Sequence, residues 1–238
     1  SFHAVLDGCT NATLALIPIE PLVGFLRDPR THCYTAGRNA HWALQRDKNY
    51  LIPSWRQDVW PRGPASAFLF DLGASLYNKG PGGASTSWFV NEYRARGISF
   101  DRIFAWEAKP HDDTEIFASV PNSIADRMSY YNVPVDARVG AKHNPWRTLR
   151  AVATPRDFVV VKIDIDNSTV EEPLASQLLA DAALAGLVDE LYFEHHVLHT
   201  PMWRYGWHIN TVTNQTLVDS YALFGRLRGM GIRAHSWV

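Results

Sequence analysis

The stretch FLFDLGAS, Phe68 to Ser75, is an apolar run that ends in an acid and opens into a loop whose glycines continue to Gly83. This pattern is typical of a buried β-strand that leads into a binding loop, because glycine lets the backbone turn sharply and approach another group closely. We therefore predict a strand over Ala67 to Phe70 whose C-terminal end, with Asp71 and Gly73, borders a ligand site.

Three later apolar runs also end in polar residues. These residues are Glu107 after RIFAW, Asp164 and Asp166 in FVVVKIDID, and Glu194, His195 and His196 in ELYFEHH. In an open α/β sheet the C-terminal ends of parallel strands meet at one edge, and ligands bind in the crevice outside that edge. We expect these polar groups to gather there.

Strand and helix patterns alternate along this part of the chain. We predict further strands at Met128–Val133 and Ile232–Val238, and helices at Ser85–Arg96, Asp112–Ser119, Asn144–Ala153, Thr169–Ala185 and from Asn214 onwards. The Thr169–Ala185 helix is predicted to begin with a capping box of Thr169 and Glu172. Such alternation predicts a Rossmann-like, doubly wound α/β fold with a mostly parallel sheet and helices on both faces.

Residues 1–65 show no regular period and contain six prolines. We predict an irregular N-terminal cap or lid of short helices and loops, with a helix over Asn39–Arg46, followed by the α/β domain at residues 66–238.

The cellular compartment is indicated only by cysteines and sequons. Cys9 and Cys33, the only cysteines, fit either one disulfide in a secretory protein or two free thiols in a cytoplasmic one. Three N-glycosylation sequons, at Asn11, Asn167 and Asn214, favour a glycoprotein of the secretory pathway. Because the sequence begins at Ser1 rather than Met, we expect a processed product.

Composition narrows the classes of partner. The 238 residues are 46% hydrophobic and 20% charged, as in a globular protein, and no apolar run reaches the roughly 20 residues of a membrane-spanning helix. A net charge of −1 without long basic runs gives no electrostatic footprint for nucleic acid. We expect a small-molecule or glycan substrate, and the oligomeric state is not indicated.

The acids and histidines at the strand ends can bind a divalent cation or supply a general base. Asp164, Asp166 and Glu194 are the candidate metal ligands. Either His195 or His196 is the expected base, or a metal ligand together with Asp164. Because strand side chains alternate between faces, only one of the two histidines should face the site.

Two features leave alternatives open. Lys162, inside an apolar strand, either extends to the sheet edge or pairs with a neighbouring acid. The aromatic and histidine-rich segment 199–208 is either an ordinary packed loop or a wall for a substrate.

The motifs resemble those of class I S-adenosylmethionine-dependent methyltransferases, in particular the FkbM-like O-methyltransferases of sugars and small molecules. The resemblance runs from Phe68 to Val238: FLFDLGAS looks like the first motif, AWEAKP like the acidic end of the second strand, and VVVKIDIDN like the fourth-strand motif. It departs at Gly73-Ala74-Ser75, where the family has glycine-x-glycine, and at Asp166-Asn167, where an acid-glycine pair is usual.

The resemblance implies S-adenosylmethionine as cofactor and methyl transfer to a hydroxyl group of a sugar or another small substrate. The acids and histidines at the strand ends add a divalent metal ion as an optional second cofactor. By this likeness Asp71 and Gly73 line the methionine part of the cofactor. Glu107 holds its ribose, and Asp164 sits beside the transferred methyl group. Asp71, Gly73, Ser75 and Glu107 are thus the expected cofactor-binding residues, and Asp164, His195 and His196 are the expected catalytic ones.

Two other functions compete with methyl transfer. In a metal-dependent glycosyltransferase, Asp164 and Asp166 would share one Mn²⁺ with the diphosphate of a nucleotide sugar. In a non-catalytic methyltransferase-like domain, the crevice would be empty or filled by side chains, and the domain would serve in binding or structure.

Overall fold

The computed structural model describes residues 2–6, 13–18, 64–80, 84–198, 207 and 213–237. Two sheets are present in these ranges. The smaller sheet pairs β1 (Phe2–Leu6) with β2 (Thr13–Pro18) in antiparallel register. The larger sheet has six strands: β3 (Ala67–Leu72), β4 (Arg102–Trp106), β5 (Met128–Tyr131), β6 (Phe158–Ile163), β7 (Glu190–Phe193) and β8 (Arg233–Ser236).

All neighbouring strands of the larger sheet run parallel, in the order β5-β4-β3-β6-β7-β8. The chain winds outward from β3 through β4 to β5, and then outward in the other direction from β6 through β7 to β8. The strand order therefore reverses between β3 and β6, which is the point where open α/β sheets bind ligands. The fold is a Rossmann-like α/β fold, as the sequence predicts.

Seven helices cover the sheet in the described ranges. They are α1 (Ser85–Ala95), α2 (Asp113–Phe117), α3 (Asn122–Ala125), α4 (Pro145–Val152), α5 (Ser168–Ala180), α6 (Ala182–Ala185) and α7 (Leu217–Gly229). None of these helices combines the length and the apolarity required to cross a bilayer.

Both faces of the sheet are buried under helices. Apolar side chains of α4, α5, α6 and α7 form one core layer, and those of α1 and α3 form the other. The central strands β3 and β6 are buried at every position, as expected for parallel strands that are covered on both sides.

Some helices begin or end at other residues than predicted, because different side chains cap them. The predicted capping box of Thr169 and Glu172 is wrong: Asn167 is the N-cap of α5, and its side chain accepts from the Thr169 N–H. The structure has a capping box at α7 instead, between Thr216 and Asp219. The predicted single helix over Thr169–Ala185 is divided at Asp181, which caps α6.

Most of the predicted N-terminal cap lies outside the described residues. This applies to the helix over Asn39–Arg46, to Cys9 and Cys33, and to the sequon at Asn11. Strands β1 and β2 are the described parts of the first 63 residues. The sequence did not predict them, because neither FHAVL nor TLALIP alternates apolar and polar residues as a half-buried strand does.

Gly73 joins the ends of three strands. Its N–H donates to the carbonyl of Trp106, the last residue of β4, and its backbone has a left-handed φ of +82°. A Cβ at this position would lie 1.7 Å from the carbonyl oxygen of Asp164, after β6. Only glycine fits, because any side chain would push β3 and β6 apart at the switch point.

We expect Gly73→Ala to lower the free energy of unfolding by more than about 4 kcal/mol, because it combines a left-handed alanine with a backbone clash. Gly97→Ala is the matched control: Gly97 has a φ of +87°, and a Cβ there would meet nothing within 4 Å. That variant should lose only about 1–2 kcal/mol. Denaturant unfolding measures both, and equal losses would contradict the proposed clash.

Asp189 directly precedes β7 and lies at the N-terminal end of the strands, opposite to the end where Gly73 lies. Its Oδ2 accepts from the N–H of Val159 at 2.8 Å, which ties β7 to β6. Burial raises the pKa of Asp189 from about 3.8 to about 7, although the Val159 hydrogen bond acts in the opposite direction. Between these two values the folded chain binds a proton that the unfolded chain has released, so stability should fall as the pH rises through this window.

We therefore expect Asp189→Asn to become progressively more stable than the parent chain between pH 4 and pH 7. The gain at pH 8 should be on the order of 2–4 kcal/mol, since each pKa unit corresponds to about 1.4 kcal/mol. Urea unfolding at a series of pH values measures this difference. A difference that stays constant with pH would contradict the assignment.

Candidate functional site

A crevice of about 360 Å³ opens at the switch point, outside the C-terminal ends of the central strands. Ligand sites of proteins typically measure about 300–1,000 Å³. Its wall is formed by the loops that follow β3, β4 and β6, together with Val135. The residues that line it include Gly73, Ser75, Leu76, Lys79, Glu107, Lys109, Val135, Asp164, Ile165 and Asp166.

Glu107 stands in the crevice wall directly after β4. Its Oε2 accepts from the backbone N–H of Ser75 at 2.9 Å, and its Oε1 accepts from that of Lys109 at 2.7 Å. These two bonds fix the carboxylate between the loops after β3 and β4. A carboxylate has about four acceptor positions, so each oxygen can still accept from a ligand hydroxyl.

Two residues on and just after β5 also hold the crevice wall in place. Asn132, just after β5, donates to the carbonyls of Glu107 and Lys109 and accepts from the N–H of His111. Tyr130 donates to the carbonyl of Ser75 at 2.8 Å. The crevice wall around Glu107 is therefore fixed by polar contacts from β5.

Asp71 is fully buried beneath the crevice and does not form part of its wall. Its Oδ2 accepts from the hydroxyls of Ser85 at 2.8 Å and Thr86 at 2.6 Å. Its Oδ1 lies 3.2 Å from the ammonium of Lys162. Asp71 therefore holds the first turn of α1 and one cation.

Lys162 pairs with acids inside the sheet, which is one of the two arrangements that the sequence left open. Its ammonium donates to the carbonyl of Gly73 at 2.7 Å and lies 3.1 Å from Oδ2 of Asp164. Burial alone would lower the pKa of Lys162, but Asp164 and Asp71 outweigh it and raise the pKa. Lys162 is therefore a permanent cation below the crevice floor.

Asp164 lies in the crevice wall and is oriented from below. Its Oδ2 receives both Lys162 and the indole N–H of Trp237, the latter at 2.9 Å. Its side chain is 27% exposed. A carboxylate thus faces the crevice from the end of β6, and its charge is partly balanced by Lys162.

A second group of polar side chains adjoins the crevice at Asp166. One ligand atom from each of Asp166, Glu194 and His196 lies within 4.8 Å of the others. Nε2 of His196 is 3.4 Å from Oε2 of Glu194 and 4.0 Å from Oδ1 of Asp166. We call Asp166, Glu194 and His196 the carboxylate–histidine cluster.

Two buried side chains orient this cluster from outside. Oε2 of Glu171 lies 3.0 Å from Nδ1 of His196, and its Oε1 accepts from the N–H of Ile165 at 2.7 Å. The indole of Trp207 donates to Oε1 of Glu194 at 2.9 Å. His196 and Glu194 are therefore each held at one polar atom, and their other atoms are turned toward one another.

The electrostatics of the cluster reflect its burial. Burial acts to lower the pKa of His196, but the contacts of its ring with the carboxylates of Glu171 and Glu194 outweigh this effect and raise the pKa to about 10. Burial and the charge of Asp164 raise the pKa of Glu194. At neutral pH, without another cation, His196 is an imidazolium and is not available as a general base.

His195 turns away from this cluster. Its ring packs 5.3 Å from Phe193 and 6.5 Å from Phe224, in the core layer under α7. Burial lowers the pKa of His195 to about 4, so the ring is neutral at neutral pH. The alternation of side chains thus separates the two histidines, as the sequence predicts, and His196 is the one that joins the acids.

Not all of the predicted site residues occur together. Gly73, Ser75, Glu107, Asp164 and Asp166 share the crevice wall. Of the predicted metal ligands Asp164, Asp166 and Glu194, the last two meet with His196, whereas Asp164 contacts Lys162 and Trp237. Sequence reasoning missed Glu171, Trp207 and Trp237 as orienting residues.

We expect Lys162→Met to lower the free energy of unfolding by about 3–5 kcal/mol, because it leaves buried Asp71 without its cation. The double variant Lys162→Met/Asp71→Asn should recover part of this loss, since the amide oxygen can still accept from Ser85 and Thr86. Denaturant unfolding measures both variants. Lys142 is exposed, so Lys142→Met is the control and should change the free energy of unfolding by less than about 0.5 kcal/mol. If Lys162→Met lost no more than this control, the role of the buried cation would be contradicted.

Comparisons with known proteins do not assign the chain to a family. No protein-family model, no curated protein and no solved structure matches it. Its function must therefore be inferred from the crevice and the carboxylate–histidine cluster.

Proposed function

We propose that the protein is an S-adenosylmethionine-dependent O-methyltransferase that acts on a sugar or another small hydroxyl compound. The observation that carries this proposal is the position of Glu107. Its carboxylate is fixed at the end of β4, in the wall of a crevice at the switch point of a Rossmann-like sheet. An acid at this position is suited to the paired hydroxyls of a ribose.

The remaining wall supports a cofactor that has both apolar and charged parts. Leu76, Val135 and Ile165 offer apolar surface for a base, and Lys79 and Lys109 offer positive charge for a carboxylate. Asp164 offers a negative charge suited to a sulfonium. A zwitterionic adenosyl compound would meet complementary groups at each of its parts.

The chemistry requires little beyond positioning. When bound, S-adenosylmethionine supplies an electrophilic methyl group. Glu107 at the ribose and Asp164 at the sulfonium would hold the bound cofactor in one position, which favours in-line attack by an acceptor hydroxyl. Asp166 lines the same crevice and is exposed, so its carboxylate can take the proton of that hydroxyl.

The competing functions receive less support. A glycosyltransferase would require Asp164 and Asp166 to share one ion, whereas the ligand atoms that lie within 4.8 Å of one another among the described residues belong to Asp166, Glu194 and His196. In a non-catalytic domain the crevice would be empty or filled by side chains. The described residues leave about 360 Å³ open, which disfavours the filled form, and binding of S-adenosylhomocysteine distinguishes the empty form from the methyltransferase.

Titration calorimetry with S-adenosylhomocysteine tests the proposal. We expect saturable binding with one site per chain, and at least tenfold weaker binding by Glu107→Ala, because this variant loses the acceptor of the ribose hydroxyls. A tenfold loss corresponds to about 1.4 kcal/mol.

Glu92→Ala is the matched control. Glu92 lies on α1 and pairs with Arg96, outside the crevice, so this variant should bind like the parent chain. Binding of NAD⁺ instead of S-adenosylhomocysteine, absence of saturable binding, or equal binding by Glu107→Ala would overturn the proposal.

A further inference from the structure

We propose that the carboxylate–histidine cluster is a binding site for a first-row divalent cation, with Asp166, Glu194 and His196 as its protein ligands. The first support is distance. Bonds of about 2.0–2.2 Å around one ion place neighbouring ligand atoms roughly 3–4 Å apart. Nε2 of His196 already lies 3.4 Å from Glu194 and 4.0 Å from Asp166, so small side-chain rotations suffice.

The second support is the imidazole of His196. The residue is 2% exposed, and its Nε2 has no hydrogen-bond partner among the described residues. The contacts to Glu194 and Asp166 do not have hydrogen-bond geometry. A buried polar atom without a partner is costly in a folded protein, and a metal ion at the centre of the cluster would satisfy it.

The third support is the orientation of His196 by Glu171. Oε2 of Glu171 is 3.0 Å from Nδ1, and Glu171 is itself fixed through the N–H of Ile165. A metal ion would displace the proton of Nε2, and with the remaining proton on Nδ1 the lone pair of Nε2 points at the two carboxylates. Histidines that bind metals usually have this arrangement, with a carboxylate on the ring nitrogen that does not bind the metal.

The carboxylate of Glu194 is also oriented by a neighbouring side chain. Trp207 donates to its Oε1, so Oε2 is the atom that faces His196. Two of the three ligands are therefore held by second residues that do not themselves face the ion. An accidental group of acids on a surface would lack such partners.

Asp166 leaves the site open toward the crevice. Its side chain is 72% exposed and lines the crevice wall. Three protein ligands with one accessible side resemble catalytic rather than structural metal sites, because open coordination positions remain for water or substrate. If the proposed methyl transfer is correct, such a position would bind the acceptor hydroxyl and lower its pKa.

The ligand types narrow the choice of metal. One imidazole and two carboxylates favour Zn²⁺ or Mn²⁺ over Mg²⁺ and Ca²⁺, which prefer oxygen ligands alone. The metal site itself does not depend on the adenosyl cofactor, because none of its three ligands is assigned to cofactor binding.

Calorimetry with Zn²⁺ and Mn²⁺ tests the site in chelator-treated protein without adenosyl compounds. We expect one equivalent of either ion to bind, and Mg²⁺ to bind more weakly. His196→Gln and Asp166→Asn should weaken binding by more than about 100-fold, and Glu171→Gln by roughly 10–100-fold through loss of orientation.

His143→Gln, a substitution of the same type in a loop outside the cluster, should bind like the parent chain. Asp166 is exposed, so Asp166→Asn should fold normally even if His196→Gln does not; circular dichroism checks both. Absence of saturable binding, or unchanged binding by Asp166→Asn, would overturn the metal site.

Failure of the metal site and failure of the proposed function can be told apart. Titration of S-adenosylhomocysteine in the presence of a chelator measures the cofactor crevice alone, and titration of the ions without it measures the cluster alone. Metal binding without cofactor binding would retain the metal site and reject the methyltransferase.

Discussion

The buried ammonium of Lys162 is the interaction on which the site depends. It joins the side chain of Asp71 on β3, the carbonyl of Gly73 after β3 and the side chain of Asp164 after β6. These two strands are neighbours at the place where the chain reverses its direction of winding. A single cation thus fixes the relative position of the two strand ends that border the crevice, and it allows two acids to remain close together in a region of low polarity.

The crevice and the carboxylate–histidine cluster are linked through the segment that follows β6. Asp164 and Asp166 both line the crevice, but Asp164 is tied downward to Lys162 and Trp237, whereas Asp166 reaches toward His196. Asp166 has a left-handed φ of 59°, a conformation that is uncommon for residues other than glycine. This local turn directs two acids that are two residues apart to two different partners.

The fold was predictable because each central strand has a recognisable local sequence pattern. Each central strand is a short apolar run with a polar residue at its end, and the helices between them require parallel connections. How deeply each polar side chain is buried could not be predicted from the sequence. Asp71 and Glu107 each follow an apolar run in the sequence, yet only Glu107 reaches the crevice. Asp71 lies inside β3, in register with Ala105 of β4, and there Lys162 and α1 enclose it.

The residues that orient the crevice acid Asp164 and the cluster were missed for different reasons. Trp237 binds Asp164 from 73 residues away and Trp207 binds Glu194 from 13 residues away, so no local pattern points to them. Glu171 did leave a signal: it shares the buried stripe of α5 with Leu174, Ala175 and Leu178 at helical spacing. An acid on such a stripe indicates a buried partner, and His196 is that partner.

The tight contact of Gly73 with the carbonyl of Asp164 also constrains selectivity. With no free space between these backbones, the base of the crevice has a fixed shape that cannot widen to admit a larger molecule. Discrimination among ligands of the proposed site would therefore reside in the outer loops, where Lys79 and Lys109 are exposed. Changes of specificity would come from exchanging these loops while the base is left intact.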